Sequence, residues 1–495
     1  ARFGLAAASL FIALIAGVVA FGVWRAARQD DPRLRTLGLL MSLALGCWTF
    51  VAAAWPLGLV PTTGVSLPFI GGFHAAAFAT LALGVIHRLL PVAATAPKPG
   101  RSFVVVVAVV LGSAGLLLAR MWTLQVPQVD ALHLRGHIFD SQGVALTELH
   151  REGRRHSLRY PYGKTLAQVL GLVNVDGRGV EGLQLQYEHQ LSGDNGKPGR
   201  NLRLFIDLRN QLALEAALQP YLARHGGYIE ALVMRPDGAI LAAASLPGYD
   251  PNRRREMPLA NMRFRPATDT AQAGPMIWPF HLAHGIETFG NQFLDAPTTA
   301  QIVDKLGARG LHDALVRFGF GRRPALDFPG MVSGRTYTGI FSPAKKPITA
   351  AIEKEFRRSF SEGWGVSMSQ TRYAASFTAL VTGSLPQPRL VADPREDWAA
   401  PATVVKPETA AAMRETLTGA TRRAGYGKMG GVWATFRPKM PPEPQGDHEL
   451  RYAMAALFAP AEQPQLMVFV KLSAHERLPK DLGLEIGARV MEAMK

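Results

Sequence analysis

The sequence predicts an α+β fold carried behind a four-helix membrane region, and three observations lead there. Four long apolar stretches crowd into residues 1–123. The rest of the chain alternates short strand patterns with helical ones. Those strand patterns lie on either side of a helical middle, so one antiparallel sheet has to be assembled from both ends of that remainder.

The apolar stretches run near 5–23, 37–60, 67–90 and 103–118. Each approaches or exceeds the ~20 residues a helix needs to cross a bilayer. The first connection carries Arg25, Arg28, Arg33 and Arg35, the second (61–66) no charge, and the third Arg88, Lys98 and Arg101. Basic loops stay in the cytoplasm, so the first and third connections face inward. The amino terminus and everything after Trp122 then lie outside. In a two-membrane bacterium this describes a multi-pass protein of the inner (cytoplasmic) membrane with its C-terminal domain in the periplasm. Further spans follow the first, and no clear small-residue cleavage site appears, which excludes a cleaved signal peptide. The lipid bilayer is thus the first expected partner. His74, inside the third stretch, is the polar group at membrane depth that points to a protein neighbour.

The single cysteine, Cys47, falls in the second stretch. The exported part therefore has no disulfide and no cysteine-ligated metal. A formal charge of +16 invites a nucleic-acid reading. The basic residues are scattered, and an exported domain seldom meets nucleic acid, so that class is set aside. Clusters at 151–156, 253–255 and 345–346 read first as solvated loops, with anionic lipid, an acidic partner or anionic cell-wall precursors as alternatives. The histidines lack metal spacing, and no metal or cofactor is expected. Gly177-Arg178-Gly179-Val180-Glu181-Gly182 fits GxGxxG by letter, but no βαβ unit surrounds it.

Residues 124–200 are rich in Gly, Arg and His, with short alternating segments such as 136–140, and read as a small β-rich pedestal. The main domain, 201–495, opens with a strand at 201–206 and a helix at 208–223. A hairpin follows, 227–234 and 239–243, around the turn Pro236-Asp237-Gly238. Helical spacing fills 299–306, 311–318 and 370–381. Strands return at 430–436, 452–458 and 465–471, and an amphipathic helix at 481–494 closes the chain.

Several motifs then fall in a familiar order. Arg135-Gly136-His137-Ile138-Phe139-Asp140-Ser141-Gln142-Gly143 is close to RGxIxDRxG. Tyr160-Pro161-Tyr162-Gly163, Gly179-Val180-Glu181-Gly182-Leu183 and Leu191-Ser192-Gly193 follow, and residues 202–207 resemble LxLTID. Gly238-Ala239-Ile240-Leu241-Ala242-Ala243-Ala244-Ser245 and Tyr249-Asp250-Pro251-Asn252 are similar to GEILAMAS…YDPN. Phe318-Gly319-Phe320-Gly321 and Ala459-Pro460-Ala461-Glu462-Gln463-Pro464 complete the series. Over residues 124–495 the chain resembles the class B penicillin-binding proteins, the peptidoglycan transpeptidases. The resemblance implies a penicillin-binding, transpeptidase-like domain on a pedestal.

It also implies a chemistry that this chain lacks. The family attacks a peptide carbonyl with the serine of SxxK, whose lysine lies one helical turn on and takes the hydroxyl proton. That segment falls on Ala273-Gly274-Pro275-Met276-Ile277-Trp278-Pro279-Phe280, with Pro275 in the serine position and Trp278 in the lysine position. Proline suits a first helical turn, so the helix is expected to persist, with the indole plugging the cleft. The SxN position falls on Leu294-Asp295-Ala296-Pro297-Thr298-Thr299, without serine or asparagine. The KTG position reads Lys428-Met429-Gly430-Gly431, where Met429 replaces the hydroxyl that would meet a substrate carboxylate. Ser342-Pro343-Ala344-Lys345 satisfies SxxK by letter, without the family's flanks.

The expected function is a catalytically dead relative: a structural or regulatory subunit of a cell-envelope complex, with a membrane-protein partner such as a peptidoglycan polymerase or a secretion-type machine. Family members pair with glycan polymerases of the SEDS type through a single membrane helix, whereas four spans offer more helix surface. Two alternatives stand beside it: a sensor that binds peptidoglycan stem peptides without turnover, and an active D,D-transpeptidase using Ser342 and Lys345.

Overall fold

The computed structural model describes residues 131–494 except 153–154, 175, 194–196, 254–255, 257, 291–298, 325, 337–348, 393–399 and 440–449. The four expected membrane spans, with Cys47 and His74, lie outside the described residues. No helix among the described residues is long and apolar enough to cross a membrane.

Residues 131–207 hold strand β1 (Ile138–Phe139), the hairpin β2 (Glu148–Glu152) and β3 (Arg155–Arg159), and β4 (Leu202–Arg203). Short helical turns at Ala167–Leu170, Gly182–Gln186 and Glu188–Leu191 lie between them, so the pedestal is mixed rather than β-rich. The strands expected at 136–140 and 201–206 shrink to the two-residue parallel pair Ile138↔Leu202 and Phe139↔Arg203. The cause is local: the Asp140 carboxylate accepts from the backbone N–H of Gln142 (2.9 Å) and Val144 (2.7 Å), which bends the chain out of the ladder. Arg135 holds the pedestal together from inside. Its buried guanidinium donates to Gln184 Oε1 (2.6 and 2.9 Å) and Gly177 O (3.0 Å), and pairs with Glu188 at 2.9 Å. A buried cation is tolerable when its donors are satisfied in this way.

The main domain is a five-stranded antiparallel sheet between helical layers. Its first third supplies helix α1 (Leu208–His225), β5 (Tyr228–Met234) and β6 (Ile240–Leu246). The middle supplies β7 (Ala271–Gln272), α2 (Trp278–Phe289), α3 (Thr299–Arg317), α4 (Ala350–Ser361), β8 (Ser367–Met368) and α5 (Gln370–Thr382). β9 (Ser384–Leu385), β10 (Ala402–Thr403) and α6 (Pro407–Arg423) follow, then β11 (Gly430–Phe436), β12 (Arg451–Ala459), β13 (Leu466–Ala474) and α7 (Leu482–Ala493). The strand order is β11-β12-β13-β5-β6, so the early hairpin joins the late strands at β13 and β5.

Strand side chains alternate between faces, and each face has its own core. Ile229, Ala231, Val233, Val468, Val470 and Leu472 face α1 and α7. Leu232, Met234, Phe469, Phe458 and Phe436 face the larger core that holds α2, α3 and α5 and runs on without a break into the pedestal residues Ile138, Leu183 and Leu202. Asp207 caps α1 by accepting from the N–H groups of Arg209 and Asn210, and Asp140 accepts from Leu208 N–H at 3.0 Å. Within α1 the buried Gln211 accepts from Ala243 N–H (2.9 Å) and donates to Ala243 O (2.8 Å), which occupies an outward peptide of edge strand β6. The helical patterns at 299–306 and 311–318 prove to be two parts of α3, bent at Gly307 (φ 62°).

A buried ion pair crosses the junction of early and late strands: Lys471 Nζ lies 2.7 Å from Glu230 Oε1, on residues paired directly across β13 and β5. Asp327, 3% exposed, is another buried acid. It accepts from Leu390 N–H (2.9 Å), Val391 N–H (3.0 Å) and the Tyr187 hydroxyl (2.9 Å), tying the pedestal's Tyr187 to the chain after α5.

Two predictions follow from buried polar groups. Asp327→Ala takes the acceptor from the Leu390 and Val391 N–H groups and is expected to cost about 2–4 kcal/mol, read as a lowered urea-denaturation midpoint. His281, buried in α2, lies 3.1 Å from Phe360 O through Nε2, which therefore carries the proton. Burial pushes its pKa down to about 4 from the usual 6.5. The unfolded chain takes up this proton below about pH 6.5 while the folded chain resists to about pH 4. The stability is thus full above that window and drops as pH falls through it, by about 1.4 kcal/mol per pH unit. His281→Leu is expected to flatten this slope when urea midpoints at about pH 7.5 and about pH 5 are compared.

Candidate functional site

Residues 271–278 are clamped from two sides. β7 pairs with β8, Ala273 N–H donates to Val366 O (3.0 Å), and Gly274 N–H to Gly363 O (3.2 Å). A 3-10 turn, Gly274–Ile277, then leads straight into α2. Met276 and Ile277 are fully buried, and the buried Tyr373 hydroxyl of α5 donates to Met276 O at 2.9 Å. Behind them Phe280 packs edge-on against Phe318, Phe320 and Tyr373 at centroid distances of 5.0, 4.9 and 5.6 Å. Apolar packing and backbone bonds therefore hold this helix start.

Pro275 stands exposed in the 3-10 turn, and Trp278, half-buried at the first position of α2, packs against the main core. The pair is three residues apart, the spacing that would bring a nucleophile and its base together. Neither side chain can attack a carbonyl or take a proton from a hydroxyl.

Across from this turn runs β11. Lys428 is exposed just before the strand. Met429 does not face the turn: its side chain is buried with Ala455 and Leu457 in the core under α1 and α7, while its carbonyl accepts from the Thr421 hydroxyl. Gly430 and Gly431 follow in close contact with β12. A Cβ on Gly430 would lie 2.2 Å from the Phe458 ring, and one on Gly431 2.4 Å from Ala456 O.

The space between the turn and β11 is filled by aromatic side chains that sequence reasoning did not single out. The Phe436 ring lies on Gly274, where an added Cβ would come within 2.5 Å of it; with φ at +50°, that position accepts only glycine. Phe436 also meets Trp364 (5.8 Å) and Tyr452 (5.7 Å). The Trp364 indole N–H donates to Glu362, Lys439 Nζ pairs with Glu362 at 3.1 Å, and the same ammonium sits 4.7 Å from the Trp364 ring centre. Against the penalty of burial, the Lys439 and Trp364 hydrogen bonds hold the Glu362 carboxyl below its usual range. Gln272 Nε2 donates to both Trp364 O and Lys439 O. The Gln272–Lys439 contact joins residues 167 positions apart, and no spacing rule reveals it.

The structure thus packs the turn that carries Pro275 against β11, while Lys428 lies just before the start of that strand. The stretch 294–298, together with Ser342, Lys345 and Lys346, lies outside the described residues, and Thr299 is the first residue of α3. Among the described residues no group of three or more His, Cys, Asp or Glu side chains gathers to hold a metal.

Comparison with known proteins fits this geometry. Residues 295–493 match the family model described as the penicillin binding protein transpeptidase domain, a range that begins beyond Pro275 and Trp278. The chain is 35% identical over 148 residues to a Pseudomonas aeruginosa protein named "Probable peptidoglycan D,D-transpeptidase PbpC", covering 25% of this chain and 26% of that one. It is 25% identical over 390 residues to the peptidoglycan D,D-transpeptidase FtsI of Escherichia coli, covering 66% of this chain and 63% of that one. The chain therefore spans less than two thirds of the length of these relatives. The apo crystal structure of penicillin binding protein 3 from Mycobacterium tuberculosis superposes with a TM-score of 0.59 at 18% identity, over 72% of this chain and 95% of that one. With its five-stranded antiparallel sheet and this match, the chain carries a penicillin-binding protein transpeptidase domain over residues 295–493 and is similar beyond it to the peptidoglycan D,D-transpeptidases.

Proposed function

We propose that this chain is a pseudoenzyme of its family: a multi-pass inner-membrane subunit, structural or regulatory, whose transpeptidase-like domain serves contacts in a periplasmic cell-envelope assembly built around a peptidoglycan polymerase or a secretion-type machine. One observation carries the reading. At the head of α2, in the i and i+3 positions, stand an imino acid and an indole, on a helix start otherwise firmly anchored.

Acyl transfer by this route needs a hydroxyl or thiol nucleophile and a base within hydrogen-bond reach. Pro275 and Trp278 supply neither. The Phe436 ring also covers Gly274, the residue before Pro275. The relatives named as D,D-transpeptidases lend the fold, and the departures at these two positions separate this chain from their activity. A second reading, recognition of stem peptides without turnover, draws on the exposed Lys428 at the start of β11.

The full chain in detergent micelles is expected to form no covalent adduct with a fluorescent penicillin. An adduct that Ser342→Ala abolishes would overturn the proposal in favour of a relocated site at Ser342 and Lys345. Equilibrium titration with muropeptides addresses the second reading. Saturable binding that disappears in Lys428→Ala supports it, and no measurable binding ends it.

A further inference from the structure

A second feature lies outside the Pro275 turn and depends on none of its chemistry. A cavity of about 500 Å³ opens between Thr270, Arg323, Ser333, Gly334, Arg335 and Ser367. Its walls are braced without any ligand. Arg335 N–H donates to Ser367 O and Ser367 N–H to Arg335 O, both at 2.9 Å, an antiparallel bridge on the edge of β8 opposite β7. On the other side the buried Arg372 of α5 donates through Nε to Arg322 O (3.2 Å) and through Nη2 to Arg323 O (2.9 Å), fixing the segment that carries Arg323.

The charges here are unbalanced. Among the described residues, Arg322, Arg323, Arg335 and Arg372 form no ion pair with a carboxylate, whereas other arginines of the domain do. The acid adjoining the cavity in sequence, Asp269, is already held by Arg263 at 2.5 Å and Arg265 at 3.8 Å. Burial, with the neighbouring Arg322 charge, lowers the Arg372 pKa to about 10 from its usual 12.5, a sign that the local field is cationic. Two guanidinium groups and three hydroxyls surround a space within the ~300–1,000 Å³ range of small-ligand sites. Guanidinium forks match the oxygens of phosphate and carboxylate groups.

We propose that this cavity binds a soluble polyanion bearing phosphate or carboxylate groups, gripped by Arg323 and Arg335 and oriented by the hydroxyls of Thr270, Ser333 and Ser367. The site is separate from the turn of Pro275, and it stands whether or not that turn is catalytic.

Calorimetric titration of the full chain in detergent micelles with inorganic diphosphate, and separately with citrate, tests the site. Saturable binding of at least one is expected, weakening as salt rises. Arg335→Gln and Arg323→Gln are each expected to weaken it about tenfold or more. Arg209→Gln, at an exposed position on α1, leaves it unchanged. Binding of diphosphate alone assigns a phosphate ligand, and binding of citrate alone a carboxylate one. Both arginines are exposed, so the variants are expected to melt with the parent protein, which separates loss of the site from loss of the fold. No saturable binding of either anion, or undiminished binding by the Arg323→Gln/Arg335→Gln double variant, overturns the proposal.

Discussion

Lys471 and Glu230 meet where the early and late strands of the main domain are sewn together. They face each other across β13 and β5, both almost wholly buried, at 2.7 Å. Without that junction the sheet separates into an early hairpin and a late three-stranded piece, and the helices on either face lose their common floor. A slip of one residue would turn every side chain of one strand to the wrong layer. It would also leave two buried charges facing opposite cores, and breaking such a pair typically costs ~3–5 kcal/mol. Gln370, the first residue of α5, donates to Glu230 O at 3.3 Å, and the Tyr452 ring lies 5.4 Å from the Lys471 ammonium. The register of the sheet and the seating of the helix under the candidate site are thus joined at one place.

The candidate site inherits its geometry from that arrangement rather than from any reactive group. Tyr373, three residues along α5 from Gln370, holds the Met276 carbonyl, and the Phe280 cluster fills the space behind. A helix start anchored by apolar rings and backbone bonds keeps its position when the residues pointing out of it change character. On the proposed reading, that independence is why the framework persists with proline and tryptophan at these positions: the scaffold and the chemistry draw on different atoms.

Much of the fold was legible because its central strands are buried on both faces and so appear as unbroken apolar runs bounded by turns. The strands expected at 430–436, 452–458 and 465–471 are found at Gly430–Phe436, Arg451–Ala459 and Leu466–Ala474, and the hairpin around Pro236-Asp237-Gly238 is found as β5 and β6. Helix α1 was legible from its spacing. The pedestal was harder. Two strands were over-extended there because Asp140 ends the first with side-chain bonds that no periodicity encodes. Of the candidate site, the positions of Pro275, Trp278 and Lys428 were readable from motif order, but the direction of Met429 was not, since it depends on which face of β11 each residue takes. Phe436, Trp364 and the arginine-lined cavity were invisible in the sequence, because each is made by segments brought together only by the finished fold.

The paired glycines at the head of β11 carry a consequence for how such a molecule changes over time. Residues 430 and 431 press so closely on β12 that neither has room for even a methyl group, and Gly274 is shut in by the Phe436 ring. Any side chain at these three positions would require the neighbouring strand or an aromatic ring to yield first, so variation there is closed. Descendants of this chain are free to vary at the exposed Pro275 while the glycines around it stay as they are, pinned by the backbone and rings that press on them.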